Sequence, residues 1–279
     1  MMESDPCCAK PGELIRIPSP RIRLTVAAVA LSALVTILFV ALPPFSLLGK
    51  ADVVGYAVCH RIPERSFELG DRYFPLCARC TGTFLGAMLG LVAALLRRRR
   101  ASRLPPVTVL GALVFFVGLW AFDGLNSYLT LFPGAPHLYE PQNWLRLTTG
   151  MLNGLALSLM VLPIANFTLW REVTSEPVVK NLGELLAILL VAALLIGGLV
   201  AGIRPLLLPL ALISSLGVVV MLTLINAILA TVALGREGTA RSGWEALVPL
   251  SVGLGMALAE IMAMALLRAY LTLQLSLPF

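Results

Sequence analysis

The sequence predicts an all-α protein, a polytopic bundle of about seven transmembrane helices. Three observations lead to this prediction. Only 13% of the residues are charged, whereas soluble domains carry about 25%. Hydrophobic residues make up 58% of the chain, and the mean hydropathy is +0.91. The apolar residues also form long runs, most of them close to the ~20 residues with which a helix crosses the hydrocarbon core.

Seven apolar runs follow a polar, proline-containing segment, 1–23, which we predict to be a disordered tail carrying Cys7 and Cys8. The predicted spans are 24–42, 80–96, 104–122, 144–165, 182–203, 205–234 and 244–267. No small-residue cleavage pattern follows the first run, so it is expected to be a retained span. The fifth and sixth runs are separated only at 202–205, and the number of spans depends on whether this step is a turn.

The loop charges predict the orientation of the bundle. Alternating spans place thirteen of the 21 Lys and Arg residues on the side of the N-terminus, including the run Arg97–Arg100. By the positive-inside rule the N-terminus is cytoplasmic. The net charge of +6 therefore indicates topology rather than nucleic-acid binding, and the expected partner is the lipid bilayer. This orientation places loops 43–79 and 123–143 together on the extracytoplasmic side.

Two membrane regions are predicted, a four-span region at 24–165 with the extracytoplasmic loop 43–79, and a three-span extension at 166–279. In the second span Gly82, Gly86 and Gly90 recur every four residues. Small residues at this spacing allow another helix to approach closely. The second span is therefore expected to lie at the centre of the bundle.

The candidate site begins with Cys59, His60, Cys77 and Cys80. Cys77 and Cys80 are three residues apart at the start of a predicted helix, so their sulfurs share a face, and a helix N-terminus favours thiolate. One interpretation is a metal site with three cysteines and one histidine, which suits Zn²⁺. A second is a redox dithiol of Cys77 and Cys80 with Cys59 as resolving partner. A structural disulfide is the third, and it leaves one cysteine over.

A second polar cluster is predicted beside the cysteines. Asp123 and Asn126 end the third span, Glu140 precedes the fourth, and Asn143 and Arg146 begin it. Residues at three-residue spacing share a helix face, and ionisable groups near the membrane need partners. We expect Arg146 to pair with Asp123 or Glu140, either in a functional site or in an ordinary helix-end ion pair. The loop charges Arg61, Glu64 and Arg65 are candidates for the same cluster.

Glu260 lies well inside the last predicted span, between alanine and methionine residues. A carboxyl at this depth is either a hydrogen-bonded group between helices or part of a proton relay. If it is a relay, the protein is a transporter or a lipid-handling enzyme that also uses Asp123 and Arg146, and a polar cavity should reach Glu260.

The motifs resemble a known family. The segments Cys-His at 59–60, Pro-x-Arg-Ser-Phe at 63–67 and Cys-Ala-Arg-Cys-Thr-Gly at 77–82 are similar to those of prokaryotic integral membrane proteins called domain of unknown function 2085. Asp-Gly-x-Asn at 123–126 and Asn-x-x-Arg-x-x-Thr-Gly at 143–150 resemble its second motif, with an asparagine at 126 where many members have glutamine. The resemblance covers roughly residues 50–160. It implies a multi-pass protein of a prokaryotic plasma membrane and the position of a site, but no reaction.

The sequence therefore predicts a membrane protein with an extracytoplasmic Cys/His cluster that binds a metal, with Zn²⁺ as the candidate ion and a structural, sensing or transport role. Two alternatives stay open. One is a membrane thiol–disulfide oxidoreductase that uses Cys77 and Cys80. The other is a transporter or lipid-handling enzyme that uses Asp123 and Arg146.

Overall fold

A computed structural model describes residues 20–132, 134 and 136–275. The predicted tail lies outside the described residues as far as residue 19, and so do Cys7 and Cys8. The described chain contains eight α-helices, and seven of them are long and apolar enough to cross a membrane. They are α1 (Pro20–Ala41), α2 (Leu47–Val58), α3 (Ala78–Arg97), α4 (Val107–Leu129), α5 (Asn143–Leu169), α6 (Leu182–Val200), α7 (Arg204–Ala233) and α8 (Gly243–Leu275). The prediction of an all-α bundle with seven spans is confirmed.

The segment 202–205 is a turn between two spans. Gly202 has a φ of 67°, a left-handed conformation that glycine adopts without strain. The amide of Ile203 donates to the carbonyl of Gly198 at 3.1 Å, and that of Gly202 donates to Leu199 at 3.1 Å. These bonds satisfy the last carbonyls of α6 and end it. The fifth and sixth spans are consequently separate helices.

The short helix α2 was not predicted and lies within the segment 43–79, which was predicted to be a loop. Its 12 residues are too few to cross a membrane. Ser46 caps its start by accepting from the Gly49 amide at 3.0 Å. The Lys50 ammonium donates to the Leu42 carbonyl at 2.5 Å and to Phe39, which caps the C-terminus of α1. The helix was missed because Lys50 and Asp52 interrupt its apolar pattern.

Helices α3 and α5 form the centre of the bundle and run parallel. Gly82 and Gly86 lie against the backbone of Leu147 and Met151, and Gly90 lies against the Ser158 side chain. The contacts therefore advance in the same direction along both helices. Because no Cβ separates them, the two backbones touch. This packing brings the N-terminal ends of α3 and α5 side by side.

Four short strands lie outside the helices. The strands β1 (Glu68–Leu69) and β2 (Arg72–Tyr73) form an antiparallel hairpin between α2 and α3. At the other end of the bundle β3 (Ala101–Arg103) pairs in parallel with β4 (Thr174–Pro177). There Arg98 binds Glu184 of α6 at 2.7 Å, which connects the end of α3 to the three-helix extension.

Candidate metal centre

Three cysteines meet where α2 ends and α3 begins. The Sγ atoms of Cys59, Cys77 and Cys80 all lie within 4.8 Å of one another, and all three residues are free thiols. Cys59 is the C-cap of α2, Cys77 is the N-cap of α3, and Cys80 is in the first turn of α3. The Cys-x-x-Cys spacing places two sulfurs on one face of α3. The end of α2 supplies the third.

The local backbone explains why Cys59 faces the other two. Cys59 has φ −136° and ψ 144°, so the chain becomes extended as soon as α2 ends. The backbone amide of Cys77 donates to the Cys59 sulfur at 3.2 Å. This is one of the amides that a helix N-terminus leaves without an intrahelical partner. The helix dipole of α3 adds a positive potential that favours thiolate at this position.

The thiols are covered by buried apolar residues from three helices, α2, α7 and α8, and by Leu76 before α3. Cys59 and Cys77 are 5% and 2% exposed, whereas Cys80 is half-buried. They belong to an apolar cluster whose other buried members are Val54, Ala57, Leu76, Val218, Leu258 and Ile261. Two of these residues come from α8 and one from α7. The three-helix extension, 166–279, therefore covers the site. All three cysteines come from the four-span region, 24–165.

Hydrogen bonds connect the side chains of the three cysteines. Hydrogen bonds from Cys77 and Cys80 lower the pKa of Cys59, which accepts both. The same bond to Cys59 raises the pKa of Cys77 to about 11, and burial adds to the increase. These shifts favour the thiolate form at Cys59 and the thiol form at Cys77. A thiophilic cation at this point would displace the thiol protons.

His60 is not part of the cysteine cluster, so the predicted set of four ligands is wrong. The exposed His60 ring accepts a hydrogen bond at Nδ1 from the Ile62 amide at 3.2 Å. Consecutive side chains of an extended chain point to opposite sides. Because Cys59 points into the bundle, His60 points out of it.

Asp123 is the centre of a buried polar network beside the cysteines. It is 1% exposed and forms an ion pair with Arg79 of α3. Tyr139 donates to its Oδ1 at 2.8 Å, and Thr149 donates to its Oδ2 at 3.3 Å. Burial raises the pKa of Tyr139 to about 12, and the hydrogen bond to the Asp123 carboxylate adds to the increase. The network connects α3, α4 and α5 at the same end of the bundle.

The predicted ion pair of Arg146 is wrong, because Asp123 is paired with Arg79. Arg146 instead donates to Ser127 Oγ at 2.9 Å and to Asn143 Oδ1 at 3.0 Å. Sequence reasoning missed Arg79, although it lies between the two cysteines of α3. A charged residue in the first turn of a span needs a partner of opposite charge. This requirement could have identified Arg79 as a candidate partner of Asp123.

The other predicted polar residues are divided between several contacts. Asn126 binds the backbone of Tyr139 at 2.9 Å and Leu138 at 2.7 Å, and thereby holds the loop that carries Tyr139. Asn143 donates to the Glu64 backbone carbonyl at 3.1 Å, so the Glu64 side chain has no part in that bond. Arg65 donates to the Ser127 carbonyl at 3.4 Å. Glu140 is 83% exposed and pairs with His137, and Arg61 pairs with Asp52.

Glu260 lies apart from this network. Its side chain is exposed on α8, and its Oε2 accepts a hydrogen bond from Asn226 of α7 at 3.0 Å. The structure does not bring it together with Asp123 or Arg146. The two parts of the predicted relay are therefore separate features.

The residues of the site lie in a part of the chain that matches a known protein family. Residues 59–160 match the model of a family described as "Predicted membrane protein (DUF2085)". An uncharacterized protein of Methanothermobacter thermautotrophicus is 34% identical over 103 residues, which are 37% of this chain and 83% of the relative. An uncharacterized protein of Methanocaldococcus jannaschii is 28% identical over 134 residues, 44% of this chain and 80% of the relative. No solved structure matches the chain significantly. The family match includes all three clustered cysteines and Asp123.

Proposed function

The chain belongs to the DUF2085 family of predicted membrane proteins, and we propose that this multi-pass member binds one Zn²⁺ ion through Cys59, Cys77 and Cys80. The loop charges favour an extracytoplasmic site in a prokaryotic plasma membrane, with the N-terminus in the cytoplasm. The metal would hold the end of α2 against the start of α3, as a structural clasp.

The observation that carries this proposal is the convergence of three free thiols within 4.8 Å. Zinc binds thiolate at about 2.3 Å, so the sulfurs of a tetrahedral site lie ~3.8 Å apart. Small side-chain rotations would bring the three sulfurs to that spacing. Thiolates select soft metals, which makes Zn²⁺ and Cu⁺ better candidates than Mg²⁺ or Ca²⁺.

The surrounding charge supports a metal thiolate. Three thiolates and one Zn²⁺ carry a net charge of about −1. The Arg146 guanidinium interacts electrostatically with Asp123 and, more weakly, with Cys77, and its hydrogen-bond partners Ser127 and Asn143 are neutral. Among the described residues, no carboxylate lies within 4.0 Å of Arg146. Its positive charge is therefore available to offset the negative charge of a metal site.

Three protein ligands leave a fourth coordination position for a water or another ligand. Cys80 is the least buried of the three cysteines and marks the side from which that ligand would enter. The apolar cover from α2, α7 and α8 keeps the other two sulfurs from solvent. Structural zinc sites usually have four protein ligands, so the structural role is supported here by the deep burial of two of the three sulfurs, which slows metal exchange.

Substitution of any one clustered cysteine by serine is expected to abolish stoichiometric metal binding. We expect about one zinc per chain in protein purified in detergent, and a large loss in Cys59→Ser, Cys77→Ser and Cys80→Ser, because the two thiolates left in each variant have no histidine or carboxylate beside them to complete a ligand set. Metal content by inductively coupled plasma mass spectrometry measures this. The double variant Cys7→Ser/Cys8→Ser is the matched control and should retain its zinc.

The same purified protein can distinguish zinc binding from the oxidoreductase alternative. That function requires a Cys77–Cys80 disulfide that exchanges with external thiols. Mass spectrometry after alkylation under chelation would find such a bond. Metal-free protein with this disulfide, or with three thiols alkylated at the same rate before and after chelation, would contradict the zinc proposal.

The transporter alternative requires a polar connection from Asp123 to Glu260. It has less support, because Asp123 is held by Arg79 and Glu260 is exposed on α8. The replacement Glu260→Gln would leave zinc content unchanged under the clasp proposal.

A further inference from the structure

A polar cavity opens at the same end of the bundle as the cysteines. Its volume is about 370 Å³, within the usual size of small-ligand sites. Residues from α2, the following loop, the β1–β2 hairpin and α8 line it: Tyr56, His60, Arg61, Arg72, Tyr73, Phe74 and Arg268. The cavity does not contain the cysteine sulfurs.

Positive charge exceeds negative charge at this cavity. Arg61 and Arg72 both bind the single carboxylate of Asp52, Arg61 at 2.7 Å. Among the described residues, Arg268 donates to backbone carbonyls, those of Tyr56 at 2.7 Å and of Cys59 at 2.5 Å, with a longer contact to His60. Two of the three guanidiniums at the cavity therefore share one carboxylate, and the third has no carboxylate partner in the described part of the chain. Each guanidinium has five N–H donors, so donors remain at Arg61 and Arg72 after these bonds.

The backbone of Arg61 is held in an unusual conformation. Its φ of 52° makes it the one residue other than glycine with a positive φ in the described chain. Such a conformation costs of order 1 kcal/mol or more and persists where the surroundings impose it. Here it directs the Arg61 side chain to Asp52, where Arg72 also binds. Two guanidiniums thus meet at the Asp52 carboxylate beside the cavity.

Neutral donors and aromatic rings complete the lining. Because His60 Nδ1 accepts from the Ile62 amide, the proton of the neutral ring lies on Nε2, where it can be donated. Arg268 stacks on the Tyr56 ring with 4.5 Å from its central carbon to the ring centroid, which fixes the guanidinium plane. Arg61 and Arg72 have side chains that are 30% and 41% exposed, so a ligand can reach them.

We propose that this cavity binds a phosphate group, either as inorganic phosphate or as the headgroup of an anionic phospholipid. Paired guanidiniums bind phosphate oxygens by charge-assisted, bidentate hydrogen bonds. Basic pockets at the ends of membrane helices bind lipid headgroups through the same contacts. This site goes beyond the zinc proposal and does not rest on it.

The test uses full-length protein in dodecyl maltoside, a detergent without phosphate. One arm titrates inorganic phosphate by isothermal calorimetry, and the other adds phosphatidylglycerol and counts bound lipids by native mass spectrometry. The variants are Arg72→Ala and Arg61→Gln, with Arg171→Ala as control, since Arg171 is an exposed arginine in another loop. The melting temperature and the elution volume in size-exclusion chromatography, both without phosphate, show that each variant is folded.

Saturable phosphate binding that Arg72→Ala weakens about tenfold or more, while Arg171→Ala changes it by less than about twofold, supports a site for the free ion. Lipid binding with the same dependence, and no phosphate binding, supports the headgroup version. If folded Arg72→Ala and Arg61→Gln bind both probes as the wild type does, or if the wild type binds neither, the proposal is wrong.

Discussion

Replacement of Gly86 by leucine is expected to destabilise the bundle strongly. A Cβ at Gly86 would overlap the backbone of Met151 in α5. Backbone cannot move aside as a flexible side chain does, so α3 and α5 would have to separate along their length. Overpacking in a core usually costs about 1–3 kcal/mol, and we expect at least the upper value here. The free energy of unfolding in mixed detergent–SDS micelles measures the change.

Gly118→Leu is the matched control for this prediction. Gly118 lies in α4, another long span, and a Cβ at that position would have no neighbour within 4 Å. The same substitution there should change the free energy of unfolding by less than about 1 kcal/mol. Equal stability of Gly86→Leu and Gly118→Leu would contradict the close packing of α3 on α5.

The second large effect is expected at Asp123. Asp123→Asn leaves the Arg79 guanidinium without its carboxylate partner. The side chain of Asp123 is 2% exposed and that of Arg79 is 17% exposed. Removing one partner from a buried ion pair costs about 3–5 kcal/mol, because the other charge stays buried. We expect a loss of about 3 kcal/mol, since Arg79 keeps some access to solvent and its bond to the Asp123 carbonyl. The same unfolding assay measures it.

Glu140→Gln provides the contrast, because the Glu140 carboxylate is 83% exposed although it also belongs to an ion pair. Exposed pairs contribute less than about 1 kcal/mol. The double variant Arg79→Gln/Asp123→Asn should recover part of the stability lost in Asp123→Asn. A loss in Asp123→Asn no larger than that in Glu140→Gln would show that the Arg79–Asp123 pair is not buried in the protein.

The spans could be predicted from sequence because the membrane imposes a minimum apolar length. The ends were predicted less well where polar side chains have partners. The third apolar span was predicted to end at residue 122, with Asp123 and Asn126 at its end. The helix α4 that contains it continues to Leu129. The reason is that Asp123 and Asn126 are satisfied by Arg79 and by the 137–140 loop, so they remain helical. The apolar length that a span requires does not show whether polar residues at its end have partners.

The cysteine cluster was predicted in part. The spacing of Cys77 and Cys80 at a helix start implies that their sulfurs share a face, and the structure has them there. Whether Cys59 or His60 joins them depends on where α2 ends, and α2 itself was not predicted. Likewise, the choice of Arg79 over Arg146 as the partner of Asp123 depends on how α3 and α5 are rotated about their axes. No pattern in one sequence specifies that rotation.

The central claim is that three thiolates hold one zinc ion, and X-ray absorption at the zinc edge tests it most directly. For the purified protein we predict three sulfur neighbours at about 2.3 Å and one nitrogen or oxygen neighbour at about 2.0–2.2 Å. Cys80→Ser should lower the sulfur number or lose the zinc. A bound zinc with two or fewer sulfur neighbours, or a protein that binds no stoichiometric metal, would contradict the claim.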